Sequence, residues 1–237
     1  MSSDEIDQTT IYGAKILQKK HGWRFSVDSV ALSKFCVETE LSYFKNEPKN
    51  LFLDVGTGCG VVIILIQNFL KLEEKIDHLP YFFGIDIDPD MIKIANTNMR
   101  INEVFGSVVL GDIREAPFKK NSFDIIVSNP PYIPVGEGKI SQKYDIAKWE
   151  ITFDLRSFVR SSSEILKSKG RIYVVYNSNR LGELLSVFFK VHLNPSFIRF
   201  YHHSKDRKSD FFVLCAQKDG KRKLEVLPPF FSDHFIW

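Results

Sequence analysis

A chain of 237 residues, 44% hydrophobic and 26% charged with 21 phenylalanines, suits one large folded domain or a domain with a short extension. No apolar stretch reaches the roughly 18–20 residues of a membrane span; the greasiest, VVIILIQNFL, is about half that length and holds Gln67 and Asn68. The net charge of +3 is uneven: residues 1–159 carry 18 Lys+Arg against 22 Asp+Glu, and residues 160–237 carry 14 against 7. A basic C-terminal third suits a polyanionic partner, and equally a well-solvated surface.

The opening MSSDEIDQTT is acidic and polar, unlike a signal peptide. Three cysteines (Cys36, Cys59, Cys215) with no C-x-x-C pair point to a reducing cytoplasm and away from structural zinc, so no metal is expected. Within the first 49 residues, GWRFSVDSVALSKFCVETE predicts a turn at Gly22, a capped start near Ser26 or Asp28, and a helix turning Val30, Ala31 and Phe35 inward. This piece is too short for a domain. It is expected to form a helical cover over the ligand-binding edge of residues 50–237.

From about residue 50, strands and helices alternate. NLFLDVG (50–56) reads as a strand and CGVVIILIQNFL as a helix. YFFGIDID (81–88) is the next strand, followed by a helix with Pro89 at its start and Met91, Ile94, Ala95 and Met99 on one face. GSVVLGD and SFDIIVSN are further strands, and FDLRSFVRSSSEILKSKG reads as a helix closed by Gly170 as its C-cap. The strand RIYVVYN and the helix RLGELLSVFFKV come next. SFIRFYHH and DFFVLCAQ are separated only by SKDRKS, which leaves no room for a helix, so they form an antiparallel pair. Continuous apolar strands imply burial on both faces. The expected architecture is α/β and Rossmann-like: a seven-stranded, mostly parallel sheet with an antiparallel last strand and helices on both faces.

LDVGTGCG places Gly56, Thr57, Gly58 and Gly60 at the end of the first of these strands, where an open α/β sheet binds ligands and glycine lets backbone approach closely. Asp54 precedes the turn and can bind an ammonium, directly or through water. Asp86, followed by Ile87, ends the second strand, where a carboxylate can accept both hydroxyls of a ribose. Asp112, followed by Ile113, ends the third, within reach of an adenine amine. Each carboxylate could instead cap the helix after it; three at successive strand ends argue for a ligand. G-x-G-x-x-G is absent, because Val61 stands three residues after Gly58, and there is no Walker lysine. A ligand with an amino acid end, a ribose and an adenine remains: S-adenosylmethionine.

The fourth strand runs into Asn129-Pro130-Pro131-Tyr132. Two prolines end the strand and stiffen its exit. An adenine amine or an amide is a poor nucleophile, because its lone pair is delocalised. The Asn129 side-chain oxygen and the Pro130 carbonyl, aimed at its two N–H bonds, turn that lone pair toward a methyl donor. Tyr132 can stack on the planar substrate.

This constellation resembles class I S-adenosylmethionine-dependent methyltransferases acting on planar nitrogens. The motif is shared by adenine-N6 methyltransferases of DNA and RNA and by glutamine-N5 methyltransferases of release factors. Ile133 suits the latter, but the N-terminal piece is shorter than their helical domain, and GEGKISQKYDIAKWEITFDL replaces their downstream stretch. GWRFSVDSVALSKF, LDVGTGCGVVIILI, VSNPPY, IAKWE, NSNRLGELL and LEVLPPFF resemble, in order, the bacterial tRNA (adenine-N6)-methyltransferases that modify adenosine 37 of a valine tRNA. Trp149 and Ile133 depart from that family's usual residues. The resemblance implies methyl transfer to tRNA with S-adenosylhomocysteine as product; a cytoplasmic monomer or weak dimer with no obligate protein partner and no membrane is expected. A cofactor-binding RNA chaperone is the non-catalytic alternative. The resemblance also places Arg24, Phe25 and Asp28 over the cofactor end of the sheet, where a helix cap with a buried ring is equally open, and leaves Glu150 a pocket residue or a helix-start carboxylate. Lys205, Arg207, Lys208, Lys221, Arg222 and Lys223 are candidate phosphate contacts, or merely solvated.

Overall fold

The computed structural model describes residues 6–21, 24–46, 50–73, 79–115, 118–130, 154–221 and 223–235. It begins with a hairpin, which the sequence reading did not contain: strands β1 (Ile6–Ile11) and β2 (Ala14–Lys19) pair antiparallel around Tyr12-Gly13. Both turn residues have positive φ, 46° and 77°, the geometry of a two-residue hairpin loop matched to strand twist. Helix α1 (Val27–Asn46) follows and buries Val30, Ala31 and Phe35 completely. The N-terminal segment is therefore a hairpin and a helix.

The alternation then runs β3 (Leu51–Val55), α2 (Val61–Lys71), β4 (Tyr81–Asp86), α3 (Pro89–Ile101), β5 (Gly106–Leu110), β6 (Phe123–Ser128), α4 (Leu155–Ile165), β7 (Leu166–Asn177), α5 (Leu181–Lys190), β8 (Leu193–His202) and β9 (Ser209–Lys218). The sheet order is β5-β4-β3-β6-β7-β9-β8. Neighbours from β5 to β7 pair parallel, while β9 is antiparallel to β7 and β8. The antiparallel strand comes last of these seven in the chain but lies inside the sheet. Two-residue strands β10 (Glu225–Val226) and β11 (Phe230–Phe231) extend the outer edge of β8.

One apolar layer joins the sheet to α1, α2 and the hairpin, with Ile94 of α3 in it; the other joins the sheet to α4 and α5. Helix α1 is anchored on the sheet by the buried Glu40, which accepts from Arg171 Nη1 at 2.7 Å and from the Tyr173 hydroxyl. The expected helix cap at Gly170 is corrected. Helix α4 stops at Ile165, and Leu166 turns extended (φ −73°, ψ 134°) to pair with Phe123. Lys167–Gly170 fall in a bulge before regular pairing resumes at Arg171, so long-range pairing overrides the local stop signal.

Candidate active site

Gly56, Gly58 and Gly60 have φ of 72°, 53° and 80°, the left-handed region that residues with a Cβ rarely enter. The turn they make folds back onto β4: Gly56 and Thr57 donate their N–H groups to the Ile85 carbonyl at 2.9 and 3.1 Å. Thr57 rests on Gly84, where an added Cβ would meet Thr57 Oγ1 at 2.8 Å. Its hydroxyl donates to Asp54 Oδ2 at 2.8 Å, while Asp54 Oδ1 is buried with no partner. Burial pushes the Asp54 carboxyl up to about 7, against the lowering effect of Thr57. A cationic N–H donor would satisfy that orphaned oxygen and favour its ionised form.

Asp86, also buried, accepts from Gly58 N–H at 2.8 Å and from Asp88 N–H at 2.9 Å. Burial raises its carboxyl above the ordinary range. Neither Asp54 nor Asp86 caps a helix: α2 starts at Gly60 without a side-chain cap, and Asp88 caps α3. Asp112 differs. It accepts Arg114 N–H at 2.8 Å, capping the short 3-10 turn Ile113–Glu115, and both of its oxygens lie 2.9 Å from Arg114 Nε. That guanidinium holds the Asp112 carboxyl below its ordinary value. An adenine amine would have to share Asp112 with Arg114 or displace it.

The ends of β3 to β6 line an open cleft, reached by Gly56, Asp86, Ile87, Asp112, Ile113 and Pro130 and flanked by Asp154 and Phe158. At its margin, Ser128 Oγ donates to the Val55 carbonyl at 2.8 Å, tying the end of β6 to β3. Asn129 follows and donates Nδ2 to Ser29 Oγ of α1 at 3.1 Å, so its amide oxygen lies on the other side of the group. Pro131, Tyr132, Ile133, Trp149, Glu150 and Arg222 lie outside the described residues.

The other candidates scatter. Arg24 pairs with Asp7 of β1 at 2.7 Å, and the Asp28 carboxylate accepts from Ser29 N–H at 2.8 Å and from the Ser26 hydroxyl. Lys205, Arg207 and Lys208 are exposed in the β8–β9 turn, at the strand edge that carries the cleft. Lys221 and Lys223 follow the other end of β9, beside the start of β8. Ten residues of strand separate the two groups, about 30 Å at the usual rise. Ser29, Gly84 and Asn98 were missed by the sequence reading. Asn98 alone carried a signal, as a polar residue on the inward stripe of α3.

A family model described as a methyltransferase domain matches residues 46–222, and the chain belongs to that family. Over 139 residues it is 29% identical to the tRNA1(Val) (adenine(37)-N6)-methyltransferase of Porphyromonas gingivalis, covering 56% of this chain and 51% of that protein. Over 174 residues it is 30% identical to the release factor glutamine methyltransferase of Buchnera aphidicola, covering 67% and 57%. The chain thus spans about half the length of the curated relatives it matches. A predicted O-methyltransferase of Agrobacterium tumefaciens superposes with a TM-score of 0.62 at 15% identity over 86% of each chain, a likeness of fold alone.

Proposed function

We propose that this protein methylates the exocyclic N6 of an adenine in tRNA, with adenosine 37 the position implied by resemblance. The observation that carries the reading is Asn129, fixed at the margin of the cleft from two sides: its strand end by the Ser128–Val55 bond, its amide by Ser29. Asp54 would hold the ammonium of S-adenosylmethionine, Asp86 the ribose hydroxyls, and Asp112 with Ile113 the adenine. Thr57 and the three glycines shape the wall beside it. Bound there, the cofactor would supply an electrophilic methyl group, with S-adenosylhomocysteine as its product. The Asn129 oxygen and the Pro130 carbonyl accept the two N–H bonds of the target amine and stabilise the charge that develops on it. No strong general base is needed, since that nitrogen becomes acidic only once methylated. Tyr132 stacks on the extruded base.

For the polymer, Lys205, Arg207 and Lys208 serve as phosphate contacts, and Lys221 and Lys223 do not. The β8–β9 turn is on the cleft's edge of the sheet, two to three strand spacings from β6, or about 10–14 Å. That distance suits a few nucleotides of backbone.

Labelled S-adenosylmethionine incubated with the protein and total tRNA, followed by digestion to nucleosides, should yield N6-methyladenosine. The release-factor relative favours a second reading, methylation of a glutamine amide, which the same two acceptors could align. A GGQ-containing release factor that takes up the label while tRNA does not would replace the RNA reading. Cofactor binding with transfer to no RNA, DNA or protein pool would favour the chaperone alternative.

A further inference from the structure

Asn98 is fully buried on α3 between the glycine turn and the N-terminal hairpin. Its Oδ1 accepts Leu17 N–H at 2.8 Å, and its Nδ2 donates to the Leu17 carbonyl at 2.7 Å and to the Cys59 carbonyl at 2.9 Å. All three partners are main-chain groups of fixed polarity, so only one orientation of the amide satisfies them. Cys59 lies between Gly58, whose N–H holds Asp86, and Gly60, which closes the turn onto Thr57. One helical turn later Asn102 repeats the first half of this pattern. It accepts Lys15 N–H at 3.0 Å and donates to the Lys15 carbonyl at 2.8 Å, but its remaining bond goes to the Asn98 carbonyl. A second contact runs from the same strand: Lys19 pairs with Asp88 at 3.3 Å, and Asp88 N–H holds the other oxygen of Asp86. Strand β2 is therefore linked to both segments that supply donors to Asp86, to the glycine turn through Asn98 and to Asp88 through its side chain.

We infer that Asn98 is a positioning residue that couples docking of the β1–β2 hairpin to the glycine turn, so that hairpin docking and cofactor binding strengthen each other. The inference rests on the reading that the cleft takes S-adenosylmethionine. Such coupling is reciprocal. A bound cofactor should hold the hairpin down, and loss of the Asn98 amide should loosen the turn.

Asn102 supplies the control, because it docks the hairpin in the same way without touching the turn. Calorimetry with S-adenosylhomocysteine should show Asn98→Ala binding about tenfold more weakly and Asn102→Ala within about twofold of wild type. Hydrogen exchange at the Leu17 amide of the wild-type protein should slow when S-adenosylhomocysteine saturates it. Equal affinities for the two variants, or Leu17 exchange that ignores the ligand, would overturn the inference while leaving the cofactor reading intact. If Asn98→Ala does not fold, the wild-type exchange measurement decides alone. A wild-type protein that does not bind S-adenosylhomocysteine would overturn both.

Discussion

Two stretches of the same sheet edge treat charge in opposite ways. At the ends of β3 and β4, Asp54 and Asp86 are almost wholly buried, the Thr57 hydroxyl donates to the first and the Gly58 and Asp88 N–H groups to the second, and burial has raised both carboxyls. At the β8–β9 turn, Lys205, Arg207 and Lys208 stand in solvent. The first arrangement suits a small ligand of fixed shape, whose groups replace water at stored, preorganised positions. The second suits a flexible polyanion, gripped by number of charges and not by geometry. Perturbing the first should change affinity or rate at single residues, whereas the second should respond only to the sum.

The largest effect is expected at Asn129, where the proposed cofactor and substrate would meet. Asn129→Ala should slow the chemical step by about two or more orders of magnitude, as for loss of a preorganised polar contact, and leave cofactor affinity nearly unchanged. Single-turnover kinetics at saturating cofactor measures this, and a fully active variant would remove Asn129 from the mechanism. Next comes Asp86→Ala, which removes the acceptor proposed for two ribose hydroxyls and should weaken cofactor binding by about tenfold or more. RNA affinity should hold, and unchanged cofactor affinity in a folded variant would show that the ribose sits elsewhere.

A smaller effect follows from pH. Asp54 must be ionised to receive an ammonium, and its carboxyl titrates near 7 in the free protein. Cofactor affinity should therefore rise as pH increases toward about 7, then level off, with one proton released per binding event on the acid side. The sign for stability is the reverse. A carboxyl raised in the folded state stabilises the free protein at low pH, and this contribution is lost as pH rises from about 4 to about 7. Calorimetry in buffers of different ionisation heat, with thermal melts across that range, checks both signs; affinity that falls with rising pH would contradict the assignment of Asp54.

The smallest effects belong to the exposed cations. Replacing Lys205, Arg207 and Lys208 together by Ala should weaken tRNA binding severalfold and make its salt dependence shallower by about two to three units. Lys221→Ala with Lys223→Ala should do almost nothing, because those side chains sit at the opposite sheet edge. Equal losses from the two sets would dissolve the distinction between the edges.

What the sequence determined by itself was local in origin. The strand–helix alternation, the glycine turn and the acidic residues at three strand ends are set by rules acting over a few residues. The resemblance to a methyltransferase family followed from these motifs. Tertiary structure decided what depends on partners far along the chain. Nothing in IDQTTIYGAKILQK marks its hairpin strongly, since the turn is Tyr-Gly and the docking groups come from Asn98 and Asn102, more than 80 residues away. SKG looks like a helix stop, yet pairing of Leu166 with Phe123 draws it into the sheet. Asp112 carries no mark of Arg114's grip, and two basic clusters adjacent in sequence are held apart by the length of β9. Each outcome turns on which buried group finds its partner, and that is settled only when distant segments pack together.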